Sequence, residues 1–79
     1  MSKTFLDVNV GDTVVCYDEY THDIIEHEIK VESIEEDEEY VTETNPKGRV
    51  LYGEDLTYGD NDELMICTVF EGNFLRVWA

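Results

Sequence analysis

The sequence predicts an all-β protein: a small, strongly bent antiparallel sheet of five or six strands, closed or nearly closed into a barrel. Three observations carry this. Ile25, His27, Ile29 and Val31 fall on one parity and Glu26, Glu28, Lys30 and Glu32 on the other, the period of a strand with one buried and one wet face. Short β-branched and aromatic runs are separated by Gly, Pro, Asp and Asn clusters, the spacing of strands joined mostly by hairpins. Nowhere do apolar residues recur at i, i+3, i+4 and i+7 over three turns, so no long helix is expected and at most one short 3-10 turn.

Each element has its own justification. Thr4 to Val10 reads as a short extended lead with apolar Phe5, Leu6, Val8 and Val10, and Gly11-Asp12 as a turn in which Gly is free to take positive φ. Thr13 to Tyr17 (TVVCY) is β-branched and aromatic and predicts a strand. Asp18 to Asp23 is a polar connection into the long strand from Ile24. Around Ser33-Ile34 the parity slips, because Val31 and Ile34 cannot both face inward on a regular strand, so a bulge or a strand end is expected there. Glu39 to Thr44 predicts the next strand, and Asn45-Pro46-Lys47-Gly48 a tight turn. Arg49 to Tyr52 starts a further strand that Gly53 interrupts, and a 3-10 turn is expected around Leu56. Glu63 to Phe70 (ELMICTVF), the most apolar run, reads as a central strand; Glu71-Gly72-Asn73 is expected to be a hairpin loop and Phe74 to Trp78 the closing strand. Closure into a barrel would remove exposed edges.

At 79 residues the chain is expected to form one domain, 1–79, with a thin core, since a chain this short buries only about 60% of the surface its unfolded form exposes. Hydrophobic content of 42% is too high for a disordered acidic tail. Charge is the anomaly. Twenty Asp and Glu against five Lys and Arg give a net charge of −15, whereas a magnitude of roughly 2–8 suffices to keep a small domain soluble. Such self-repulsion opposes compaction; the excess is either functional or a solvated surface.

The same imbalance argues against direct binding to nucleic acid or to an anionic membrane, which are held by clustered Lys and Arg. Lys30, Lys47, Arg49 and Arg76 are scattered and outnumbered. Met1-Ser2-Lys3-Thr4 leads into a patterned polar segment and not an apolar run, so no signal peptide is expected, and no stretch has the length of a membrane span. Cys16 and Cys67 are too few for a disulfide framework and read as small buried hydrophobes, which points to a reducing cytoplasm.

No reaction is marked out. With so many carboxylates some pair must lie close, but catalysis needs one set apart by burial or a shifted pKa. His22 and His27 have opposite strand parity and read as satisfied or half-exposed histidines, not as a zinc site. Asp60-Asn61-Asp62-Glu63 lacks the spacing of a calcium loop and would attract a divalent cation only weakly. Neither a Ser–His–Asp nor a Cys–His arrangement is apparent, the five glycines form no phosphate loop, and no cofactor is expected. The five tyrosines either roof the barrel or supply an interaction surface.

What stands out is acid in a row: Glu26, Glu28 and Glu32 on the wet parity, continued by Glu35, Glu36, Asp37, Glu38 and Glu39. Residues two apart on a strand are separated by roughly 6.6–6.8 Å, about two steps of a duplex that carries a phosphate every ~3.4 Å per strand. A basic groove built for DNA or RNA would be attracted to such a line over a Debye length of about 8 Å, although Lys30 interrupts it.

The opening Val10-Gly11-Asp12-Thr13-Val14-Val15, followed by a long bent hairpin and a late short turn before the final strand, resembles the layout of SH3-like small barrels, and in particular short barrel proteins encoded by bacteriophages and other mobile elements. That resemblance implies an interaction module more often than an enzyme. The expected function is therefore a non-catalytic acidic module that docks through Glu26, Glu28, Glu32, Glu35, Glu36, Asp37, Glu38 and Glu39 onto the basic surface of a nuclease or other nucleic-acid-binding protein. It would act there as a nucleic-acid-mimic inhibitor. The alternative is a structural protein that self-associates near Leu64 to Phe70 and Phe74 to Trp78, its acid serving only solubility.

Overall fold

The computed structural model describes residues 4–17, 25–59 and 65–78. Strands β1 (Thr13–Tyr17), β2 (Glu26–Glu36), β3 (Arg49–Asp55), β4 (Thr68–Val69) and β5 (Phe74–Trp78) form an antiparallel sheet in the order β4-β3-β2-β1-β5. The sheet curls into a half-barrel. As expected, the architecture is all-β, antiparallel, strongly bent and, among the described residues, five-stranded.

β2 is the strand that both halves share. Its first half pairs with β1, from Tyr17 opposite Glu26 to Thr13 opposite Lys30, and its second half pairs with β3, ending with Glu36 opposite Arg49. The alternation read from the sequence holds: His27, Ile29 and Val31 are buried, while Glu26, Lys30 and Glu32 are exposed. The parity slip is a bulge. Val31 pairs with Gly53 and Ser33 with Tyr52, so Glu32 is the extra residue, and the slip returns Ile34 to the inner face. β1 ends its pairing at the same level, where Gly11 and Asp12 exchange backbone hydrogen bonds with Val31. Gly11, at φ 97°, makes that turn as expected.

β3 runs straight through Gly53 and is not interrupted there. Gly53 is needed because a Cβ at this position would overlap the Lys30 carbonyl and touch Ile29; the two backbones meet too closely for a side chain.

Several expectations are corrected. Glu39 to Thr44 is not a strand: Glu38–Tyr40 forms a 3-10 turn, capped by the Asp37 carboxylate accepting from the Glu39 amide at 2.9 Å, and Thr42 then bridges only to Asn45. Among the described residues the segment meets no partner strand, and its apolar residues Tyr40 and Val41 stay exposed. Phe5–Asp7 and Glu71–Asn73 are also 3-10 turns, so there are three among the described residues where at most one was expected, and Leu56 lies instead in an ordinary turn. The N-terminal lead is consequently not extended; Phe5 and Val8 are buried while Leu6 and Val10 are exposed. Among the described residues of the apolar run, 65–70, only Thr68–Val69 is strand, at the edge beside β3 and not central, and Glu71–Asn73 joins β4 to β5 without pairing them as a hairpin. Cys67 is exposed, against expectation, whereas Cys16 is buried. The connection 18–23, His22 and the segment Asp60-Asn61-Asp62-Glu63 lie outside the described residues.

The core gathers Phe5, Val8, Val14, Cys16, Ile29, Val31, Leu51 and Val69, with Ile34, Ile66, Phe74 and Val77 packed against it. Phe5 meets Phe74 edge-on, ring centroids 5.4 Å apart, which docks the N-terminal turn on β5. Arg49 also ties that segment down, donating to the carbonyls of Leu6, at 3.0 Å, and of Val8.

Gly53→Ala is expected to cost roughly 2–3 kcal/mol, seen as a lower urea midpoint with an unchanged slope. Gly72→Ala, where nothing lies within 4 Å, should change stability by less than about 0.5 kcal/mol. Equal midpoints for the two variants would show that the β2–β3 crossing relaxes freely.

Candidate functional site

The predicted acidic residues reach the surface, but not as one line. Strand parity puts Glu26, Glu28 and Glu32 on the outer face; Glu28 is half-buried and the other two are exposed. Beyond the bulge the line forks. Glu35 sits beside Tyr52, whose hydroxyl is pushed above its ordinary pKa by burial first and then by the neighbouring Glu35, Tyr40 and Asp37. Glu36 turns the other way and lines an open cleft of about 400 Å³ with Leu6, Ile34, Pro46, Lys47 and Arg49. Asp37, Glu38 and Glu39 continue around the 3-10 turn, all exposed. Glu26 is neutralised: Arg76 donates to both its oxygens at 3.0 and 3.2 Å, and that guanidinium holds the Glu26 carboxyl below its ordinary pKa. None of the other seven carboxylates is ion-paired among the described residues.

The one carboxylate that is set apart lies elsewhere, and sequence reasoning missed it. Asp55, at the end of β3, is fully buried. One oxygen accepts from His27 Nδ1 at 2.7 Å and from the Ile66 amide at 3.1 Å; the other accepts from the amides of Thr57 at 2.9 Å and Tyr58 at 3.1 Å. Burial pushes the Asp55 pKa up, but the His27 and backbone hydrogen bonds more than offset this and leave it below the ordinary value. Tyr58 covers the imidazole, ring centroids 4.6 Å apart. His27 is thus a satisfied core histidine, as expected, and Cys16 is its cross-strand partner. A Cys, a His and an Asp are therefore brought together where none was apparent from spacing. All three are at most 2% exposed. A nucleophile must be reached by its substrate, and this thiol is sealed. Among the described residues no group of three or more His, Cys, Asp and Glu converges as a metal site, and no helix is long and apolar enough to cross a membrane. The sequence signal for Asp55 was an Asp immediately before a turn, the position from which a carboxylate caps the next amides; nineteen other acids hid it.

A second cleft, of about 220 Å³, opens between the turn 42–45 and the 3-10 turn Glu71–Asn73. The rings of Tyr40 and Phe70 lie along it with centroids 5.1 Å apart, and the Glu71 carboxylate accepts from the hydroxyls of Thr42, at 2.8 Å, and Thr44. Asn45 holds the turn in place: buried, it accepts from the Arg49 amide and donates to the Arg49 carbonyl. The turn closes as expected, with the Gly48 amide donating to the Asn45 carbonyl and Gly48 at φ 66°.

No family model, curated protein or solved structure matches the chain.

Because its folded-state pKa is depressed, Asp55 contributes stability that is fully present above its unfolded value of about 3.9 and is lost as pH falls through the lower folded value. Asp55→Asn is expected to cost roughly 3 kcal/mol at neutral pH, since it removes one partner of a buried pair. The gap between wild type and variant, measured by urea unfolding from pH 7 to pH 2.5, should shrink below about pH 4. Parallel profiles would mean that the carboxylate is not held ionised in the fold.

Proposed function

We propose that this protein is a non-catalytic acidic binding module that docks on the basic surface of a nucleic-acid-binding protein, such as a nuclease, and competes with nucleic acid for it. The observation that carries this reading is the surface placement of uncompensated acid. Glu28, Glu32, Glu35, Glu36, Asp37, Glu38 and Glu39 run along β2 and its following turn without a cation paired to them among the described residues, on a chain of net charge −15. Charge of one sign steers a basic partner from a distance and is indifferent to its detailed shape. The sealed state of Cys16, His27 and Asp55 supports a non-catalytic role. The strand order, with the last strand returning beside the first, is compatible with the SH3-like layout; the further proposal of a mobile-element inhibitor acting in the cytoplasm on a host nuclease rests on the sequence resemblance and the acidic surface.

The fork in the acidic line refines the picture. Glu35 and Glu36 present charge to two sides of the same strand end, so the partner would wrap the tip of the β2–β3 connection and not lie flat along the strand.

A second reading, self-association, has one observation in its favour: Leu75 and Trp78 on β5, an edge strand, are 39% and 57% exposed. Light scattering separates the two, since a large oligomer that persists in Trp78→Ser rejects the β5 edge, and a monomer rejects assembly.

Charge reversal of Glu35, Glu36 and Glu38 to Lys is expected to abolish capture of basic proteins from host lysate at moderate salt. Bound proteins should elute with added duplex DNA, and wild-type capture should fall steeply as salt rises. Capture unchanged by the triple reversal, or indifferent to duplex DNA, would remove nucleic-acid mimicry.

A further inference from the structure

We infer that the cleft between the turn 42–45 and the 3-10 turn Glu71–Asn73 is an anchor site for a single arginine side chain presented by a basic polypeptide. The assignment rests on the basic-partner reading above and adds to it a short-range, residue-specific contact that an acidic surface alone does not supply.

The chemistry of the cleft is that of a guanidinium receptor. Its aromatic side is Tyr40 and Phe70, rings tilted 47° to one another, with Tyr40 39% exposed and so offering a π surface to an incoming group. Its charged side is Glu71, half-buried, each of whose oxygens already accepts one hydroxyl proton, Oε1 from Thr42 and Oε2 from Thr44. Those donors are neutral, so they fix the carboxylate without cancelling its charge. Each oxygen keeps a second lone pair. Glu39 lines the same cleft and adds a second negative group. Arg49 also lines it; its guanidinium donates to the neutral carbonyls of Leu6 and Val8, and its single positive charge stands against the two carboxylates of the cleft. No cation is paired to Glu39 or Glu71 among the described residues.

A carboxylate held rigid before binding loses little freedom when the ligand arrives. Planar guanidinium both forks onto a carboxylate and stacks on an aromatic face, whereas the compact, strongly hydrated ammonium of lysine does only the first well. The cleft therefore discriminates between two side chains of equal charge. The acid along β2 has no such geometry and would treat them alike.

The test uses hexa-arginine and hexa-lysine peptides titrated into the full chain at about 0.15 M salt, followed by calorimetry and backbone amide shifts. Hexa-arginine is expected to bind at least about fivefold more tightly than hexa-lysine, the gain of one stacked, forked contact, with the largest shifts at Thr42, Thr44 and Gly72. Glu71→Gln keeps an acceptor for one threonine and Tyr40→Leu keeps apolar bulk; each should erase the arginine preference. Glu32→Gln removes the same charge from β2 and should leave the preference intact. Equal affinity for the two peptides, equal losses in Glu71→Gln and Glu32→Gln, or no binding of hexa-arginine would each overturn the assignment. The triple reversal at Glu35, Glu36 and Glu38 separates the two ideas. If it weakens both peptides while the arginine preference is absent, the acidic surface stands and the cleft falls; if the preference survives with affinity unchanged, the cleft stands and the acidic surface falls.

Discussion

The bend in β2 is the constraint from which the rest of the sheet follows. In an eleven-residue strand of regular pleat Val31 and Ile34 would point to opposite faces, and one of them would be lost from the core. β2 pairs with β1 from Glu26 to Lys30 and with β3 from Ile29 to Glu36, and the extra residue at Glu32 bends it within the β3 pairing. The inner faces of the two halves then meet over one core. The bend demands a close approach of backbones on the partner strand, and Gly53 supplies it opposite the Lys30 carbonyl. Replacing that glycine would push apart the two strands that carry the fold.

A thin core also explains why one acid is buried. The turn after β3, the chain leading into β4 and the start of β2 all leave backbone or imidazole N–H groups inside the protein. Apolar side chains cannot satisfy them. Asp55 accepts four of these donors at a single point. Removing a carboxylate from water is costly, and these hydrogen bonds are what make it tolerable. The buried negative charge is a structural clasp, and it is distinct from the acid that coats the outside.

On the outside, two kinds of negative charge are present with different physical consequences. The carboxylates of β2 and its following turn mostly face solvent and are screened by salt, and on the proposed reading they would set how fast and from how far a cationic partner arrives. Glu71 is held by two hydroxyls beside an aromatic pair, and on the same reading it would set which cation is retained. Glu26 belongs to neither group, because Arg76 on β5 has already claimed it. Strand position alone would have grouped Glu26 with Glu28 and Glu32.

The sequence by itself determined the fold class, the inward set His27, Ile29 and Val31, a break of parity near Ser33 that the structure resolves as a bulge, the turns at Gly11 and Gly48, and strands β1 and β5. All of these are written in local periodicity and turn chemistry, which depend on near neighbours in the chain. It misread the segment 39–44, whose strand-like composition met no partner strand among the described residues and became a 3-10 turn and a bridge, and the run toward Phe70, where of those residues only Thr68 and Val69 pair. Tertiary structure alone decided which acid is buried, which is paired and which is free to meet a partner. His27 and Asp55 are 28 residues apart, Glu26 and Arg76 are 50, and Thr44 and Glu71 are 27. Twenty acids look alike in a one-dimensional string. Only the folding of distant segments into contact gives each its own donors, its own exposure and its own chemistry.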